Sequence, residues 1–94
     1  MKFLIRFLGL KGSWKWALRQ MKNGHIVRRK SFIGPKRLKL DFEDRCRIID
    51  NYSETIDEMN DSKNWISAFL FLEDLEATDW EIFDPDNLPI LWEL

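Results

Sequence analysis

The side chains of this 94-residue chain that could do chemistry fall into three groups. Arg28, Arg29 and Lys30 stand in a row and bring donors suited to phosphate, while Trp14, Trp16, Phe32, Trp65 and Trp80 bring flat faces on which bases can stack. The third group is acidic, Glu73, Asp74, Glu76 and Asp79, of which Asp74 or Asp79 can accept hydrogen bonds from ribose hydroxyls or base amino groups. Such a set suits a nucleotide better than a reaction. Carboxylates in these numbers form a solvated face more often than an acid/base pair. His25, the single histidine, would have to be the base for any Ser or Cys nucleophile, yet it sits just past a helix end, where an exposed or capping histidine is the commoner finding. The sequence contains no P-loop, no G-x-G-x-x-G and no His-rich metal pattern. The expectation is binding without catalysis, with no metal and no cofactor.

Composition narrows the class of binder. Aromatic residues make up 14% of the chain and five of them are Trp, a heavy load for one small domain spanning 1–94, and large rings dominate both cores and interfaces. The net charge of −1 conceals an asymmetry: residues 1–47 carry 14 Lys/Arg and 3 Asp/Glu, residues 48–94 carry 1 and 13. The two halves can fold onto each other, pair head-to-tail between protomers, or leave a basic face free for a phosphate-bearing ligand. Binding of single-stranded nucleic acid through the basic strand would fall steeply with salt, and the acidic residues elsewhere argue against it. A lone Cys46 excludes an intrachain disulfide and fits a reducing cytoplasm. The apolar start, MKFLIRFLGLKG, is interrupted by Arg6 and followed by no A-x-A-like site, so neither a signal peptide nor a spanning helix is expected.

These residues must be positioned by local structure, and the pattern predicts an α+β fold: an antiparallel β-meander packed with one amphipathic helix over about 14–23 and a short second helix over about 70–77. Residues 2–8 alternate as a short strand ending at Gly9. Ser13 is the N-cap of the first helix, Trp14, Ala17, Leu18 and Met21 form its apolar stripe, and Asn23-Gly24 closes it. Trp16 lies off that stripe and must find another partner or face a ligand. His25 to Ile33 reads as a basic strand with Arg29 pointing opposite to Arg28 and Lys30. Gly34-Pro35 turns the chain into a second strand with Leu38, Leu40 and Phe42 on one face. Arg45 to Asp50 extends the meander, with Cys46, Ile48 and Tyr52 inward, or forms a helix. The polar run from Asn51 to Lys63 reads as a long surface loop or weak helix. Trp65 to Ala77 fits a helix with Trp65, Phe69, Leu72 and Glu76 on one face, or a strand over Ile66 to Leu72 followed by a short helix; the second is preferred. The tail from Pro85 to Leu94 ends in an apolar ILWEL, expected to lie extended on the core or on a neighbour.

The most distinctive string is Asp74 to Phe83, DLEATDWEIF, an acid-rich helix end running into a tryptophan-centred strand. There Trp80 is either a core plug or the wall of a pocket. An Asp in this string either caps a turn near the helix end or points into the same cavity as Arg29.

The spacing W-x-x-A-L-x-x-M-x-x-G-x-x-V-x-R-x-x-F from Trp14 to Phe32, followed by D-L-x-A-x-D-W from Asp74 to Trp80, resembles the Thoeris anti-defence type two family of small phage proteins. The two blocks cover about 26 residues of the chain. Trp14 stands where the family usually has Phe, Phe32 where it has Trp, and Arg29, Asp74, Asp79 and Trp80 match directly. The resemblance implies a homo-oligomer, a tetramer or a dimer, in the cytoplasm of the infected bacterial host. It would act as a sponge that sequesters a cyclic nucleotide signal, a cyclic ADP-ribose isomer or a cyclic dinucleotide, without cleaving it. On this basis Arg29 is expected to hold phosphate, Trp14 and Trp80 to wall the base or ribose, and Asp74 or Asp79 to fix hydroxyls, with Phe32 counted among the ligand-binding residues. The alternative reading is a small inhibitor that docks on a host protein through its acidic half or aromatic surface, without nucleotide binding.

Overall fold

A computed structural model describes residues 10–43 and 47–84. The strand expected over residues 2–8, Cys46 and the tail after Pro85 lie outside the described residues. Within them the order of elements is helix α1 (Trp14–Lys22), strands β1 (Val27–Arg29), β2 (Arg37–Asp41) and β3 (Arg47–Asn51), helix α2 (Ile56–Met59), a 3-10 turn (Ser62–Asn64), β4 (Ile66–Ser67), α3 (Leu72–Glu76) and β5 (Trp80–Ile82). The strands form an antiparallel sheet in the order β4-β3-β2-β1-β5. The fold is α+β, as expected.

Helix α1 forms where its caps predict. The Ser13 side chain accepts from the Trp16 N–H at 3.2 Å, and the chain leaves the helix through Gly24 at φ +92°, with the Gly24 N–H donating to the Met21 carbonyl. Its stripe buries Ala17 and Met21 completely against β1, β2 and β5, with Val27, Leu38, Leu40 and Trp80 completing this core. The opposite face of the sheet carries a second core of Ile49, Met59, Trp65 and Phe83, closed by α2 and the 3-10 turn. The polar run after Asn51 is therefore a lid of short helices held by local caps, Thr55 Oγ1 accepting from the Glu58 N–H and Asp61 Oδ1 from the Lys63 N–H.

Several expected elements are shorter or turned differently. The basic strand stops at Arg29, because the N–H groups of Lys30 and Ser31 both donate to Asp79 and the Phe32 N–H folds back onto the Arg29 carbonyl. Phe42 does not continue the inward face of β2; it lies in the turn after the strand and is exposed. Tyr52 is likewise exposed; Ile48 packs half-buried on the first core as expected, but β3 also buries Ile49, Asp50 and Asn51. Both faces of the sheet are covered at β3, so a simple in/out alternation cannot hold there. The preferred reading of Ile66 to Ala77 holds in order, a strand then a short helix, although the strand has only two residues. A helical face of Trp65, Phe69 and Leu72 is not formed: Trp65 is buried in the second core while Phe69 and Leu72 face outward. No helix among the described residues is long and apolar enough to cross a membrane.

Candidate functional site

The pairing of β5 with β1 sets Arg29 opposite Trp80 and gathers all six candidate residues into one cluster. Arg29 Nε donates to Asp79 Oδ1 at 2.7 Å and Arg29 Nη1 to Asp74 Oδ1 at 2.9 Å, so one guanidinium bridges two carboxylates from either end of the 74–79 segment. Asp74 also caps α3, its Oδ2 accepting from the Phe71 N–H at 2.9 Å. Asp79 Oδ2 takes the Ser31 N–H at 3.0 Å. Asp74 thus takes the capping role that the sequence offered as one alternative, at the start of α3, and its bond to Arg29 is an ion pair within the protein.

Trp80 is the hub of the aromatic part. It is 2% exposed, its indole N–H donates to the Asp74 carbonyl at 2.9 Å, and its ring meets Trp14 at 5.2 Å and, edge to face, Phe32 at 5.6 Å. The Arg29 guanidinium lies 5.8 Å from the Phe32 ring. The cluster satisfies itself: the donors of Arg29 are directed at aspartates, and the rings pack on one another.

Electrostatics follow from these contacts. Burial pushes the Asp79 carboxyl up, but hydrogen bonds from Arg29 and Ser31 and the Arg29 charge outweigh it and hold the group at about 2. The Arg29 guanidinium is raised, first by its bond to Asp79, against some desolvation. Arg28, on the other side of β1, is held by the loop that follows: Nη2 donates to the Phe32 carbonyl and Nη1 to the Gly34 carbonyl. Burial lowers Arg28, partly offset by Glu81, and lowers Arg37 to about 10 with the charge of Arg28 adding to the effect. Arg28 thus shapes the backbone after β1, and of the basic row Lys30 is the member that faces a cleft.

Two clefts open around the cluster. The first, about 380 Å³, runs along the outer side of β5 and is lined by Lys11, Trp16, Lys30, Thr78, Asp79 and Glu81, together with parts of Trp80 and Ile82. The second, about 450 Å³, is more apolar and lies between the start of α1 and the end of α3, with Leu10, Trp14, Leu75 and Ala77 in its wall. They share Lys11 and Thr78, which stand between them. The backbone fixes this divide. The Trp80 N–H donates to the Gly12 carbonyl at 2.9 Å, and Gly12, at φ +96°, sits so close to Thr78 that a Cβ there would run into the Thr78 carbonyl oxygen.

The chain matches no family model, no curated protein and no solved structure. Of the six candidate residues, Trp14, Asp79 and Trp80 line these clefts, whereas Arg29, Asp74 and Phe32 line neither and stand behind the wall. The cleft residues that the sequence did not single out are Lys11, Thr78 and Glu81. Lys11 carried one available signal, its place beside a glycine just before a helix N-cap. Trp16, off the stripe of α1, packs on the first core and also lines the polar cleft. Among the described residues no group of three or more His, Cys, Asp or Glu is placed to hold a metal ion.

Proposed function

We propose that this chain binds and sequesters, without cleaving it, a cyclic nucleotide immune signal such as a cyclic ADP-ribose isomer or a cyclic dinucleotide, and so counteracts bacterial anti-phage defence. The observation that carries the reading is the pair of clefts sharing Lys11 and Thr78, with Trp16 and Trp80 lining the first and Trp14 the second. A ligand with two ring systems joined through phosphate meets matching chemistry there. The rings stack on the indoles, the phosphates pair with the Lys11 and Lys30 ammoniums, and Asp79 and Glu81 accept from hydroxyl or amino groups. In this reading Arg29 does not hold phosphate. It ties β1 to the 74–79 wall and keeps the indole of Trp80 in place.

A sponge needs slow release and not transition-state selectivity, so equilibrium binding is the property to measure. Calorimetry with a panel of cyclic ADP-ribose isomers and cyclic dinucleotides is expected to find one class that binds stoichiometrically and is recovered chemically unchanged after heat denaturation. Trp16→Ala is expected to weaken that binding by about 10- to 100-fold, the usual worth of one stacked base. Failure of every member of the panel to bind overturns the reading.

A further inference from the structure

A third cleft, of about 380 Å³, lies between the end of the β2–β3 pair and the 3-10 turn. It shares no residue with the other two. Its volume is at the small end of the roughly 300–1,000 Å³ that small-molecule sites occupy, which suits a compact ligand. Ile49 and Trp65, both buried in the second core, give it an apolar floor, and Phe42, 56% exposed in the turn after β2, adds an aromatic side. Phe42 belongs to neither core, so its ring is open to a ligand.

Four charged side chains surround this floor, two of each sign: Lys39, Arg47, Asp41 and Glu43. Two of them are engaged with each other and with the backbone. Asp41 Oδ1 accepts from the Glu43 N–H at 3.1 Å, which closes the turn, and Asp41 Oδ2 meets Arg47 Nε at 3.5 Å. Arg47 is held from a second side, its Nη1 donating to Ser67 Oγ at 2.9 Å. Lys39 and Glu43 differ from that pair. The Lys39 ammonium rests 4.2 Å from the Trp65 ring centroid, and among the described residues neither it nor the Glu43 carboxylate enters an ion pair. Lys39 stands within β2 and Glu43 in the turn beyond Asp41, so the two charges enter the cleft from different points along the chain.

We infer that this cleft binds a small zwitterion with an apolar body, the chemistry of a free apolar amino acid or of a dipeptide. The carboxylate of the ligand pairs with Lys39, its ammonium pairs with Glu43, and its side chain lies on Trp65 and Phe42. A lone anion would meet Glu43 and a lone cation would meet Lys39; a ligand that carries both signs satisfies both. A polyanion is disfavoured for the same reason, since Asp41 and Glu43 stand in the wall that holds Lys39 and Arg47. The inference does not rest on what the other two clefts bind.

Proton–nitrogen correlation spectra of the isotope-labelled full 94-residue chain test it, with L-phenylalanine, leucyl-leucine and N-acetyl-phenylalanine amide as probes. Phenylalanine or leucyl-leucine is expected to shift the Trp65 indole N–H and the amides of Lys39 and Glu43 saturably, while the indoles of Trp14 and Trp16 stay in place; which of the two acts tells an amino-acid site from a peptide site. The capped amide keeps the ring and loses both charges, and is expected to shift none of these signals. Lys39→Met and Glu43→Gln are each expected to raise the dissociation constant about tenfold, the usual worth of one hydrogen bond to a charged group. Glu43 is exposed in a turn, so its variant carries the test should Lys39→Met lose the dispersed spectrum of the fold. The inference is overturned if neither zwitterion gives a saturable shift, if the capped amide shifts the same signals equally, or if binding persists unchanged in the folded variants.

Discussion

Arg29 holds the 74–79 segment to the sheet, and its removal leaves Asp74, whose side chain is 3% exposed, as a buried charge without its cation. Breaking such a pair from one side costs about 3 kcal/mol. Arg29→Ala is therefore expected to lower the urea midpoint substantially; an unchanged midpoint with lost ligand binding would instead make Arg29 a ligand contact. Asp79 gives the same knot a pH signature. Its carboxyl falls from an unfolded value near 3.8 to about 2, so its stabilisation is complete above pH 4 and disappears as pH drops towards 2. Thermal melts are expected to lose about 2 kcal/mol of stability across that window, and Asp79→Asn to start lower at neutral pH and flatten there. Asp50 works in the opposite direction. Burial pushes its carboxyl up in spite of Lys36, Tyr52 and the Phe69 N–H, and its Oδ1 has no hydrogen-bond partner. Its charge costs stability at neutral pH, a cost that fades as the pH falls towards the unfolded value. Asp50→Asn is expected to raise the melting temperature at pH 7 and to do so less at pH 3.

The elements were legible in proportion to how local their causes are. Helix α1 could be read almost to the residue because Ser13, the apolar stripe and Asn23-Gly24 all act within a few positions. The end of β1 could not, because Lys30 and Ser31 are turned by Asp79, nearly fifty residues away. The same distance explains the site. Residue types and the two sequence blocks singled out residues that do lie together, but which members face outward depends on how β5 docks on β1, and Lys11 entered the clefts only through the crossing of Gly12 with Thr78. That crossing can be tested against a neighbour of like conformation. Gly12 and Gly24 both have φ near +90°, but nothing lies within 4 Å of a Cβ built at Gly24. Gly24→Ala is expected to cost about 1 kcal/mol of left-handed strain. Gly12→Ala must also push the backbone of Thr78 away. In equilibrium unfolding it should cost clearly more, and it should weaken ligand binding in the fraction that still folds.

At the scale of the whole molecule, the sheet separates two cores whose loads differ. Trp65 anchors the face away from α1, donating its indole N–H to the Met59 carbonyl and lying 4.2 Å beneath the Lys39 ammonium. Trp65→Phe is expected to cost about 1 to 2 kcal/mol in urea unfolding through the lost hydrogen bond, while calorimetry on the folded protein finds ligand affinity unchanged. The strand order has a further consequence, for the time course of folding. β5 is the last described strand in sequence, yet it pairs with the first, so the knot closes only when residues 45 and 50 positions apart meet. A chain still emerging from the ribosome can build α1 and the β1–β3 meander, but it has neither the clefts nor the partners of Arg29 until Trp80 is out. Such long loop closures slow a small domain from microseconds towards milliseconds or longer. On the proposed function, binding competence therefore arrives late, and a chain truncated before Asp79 is expected to bind no ligand however much of its sheet has formed.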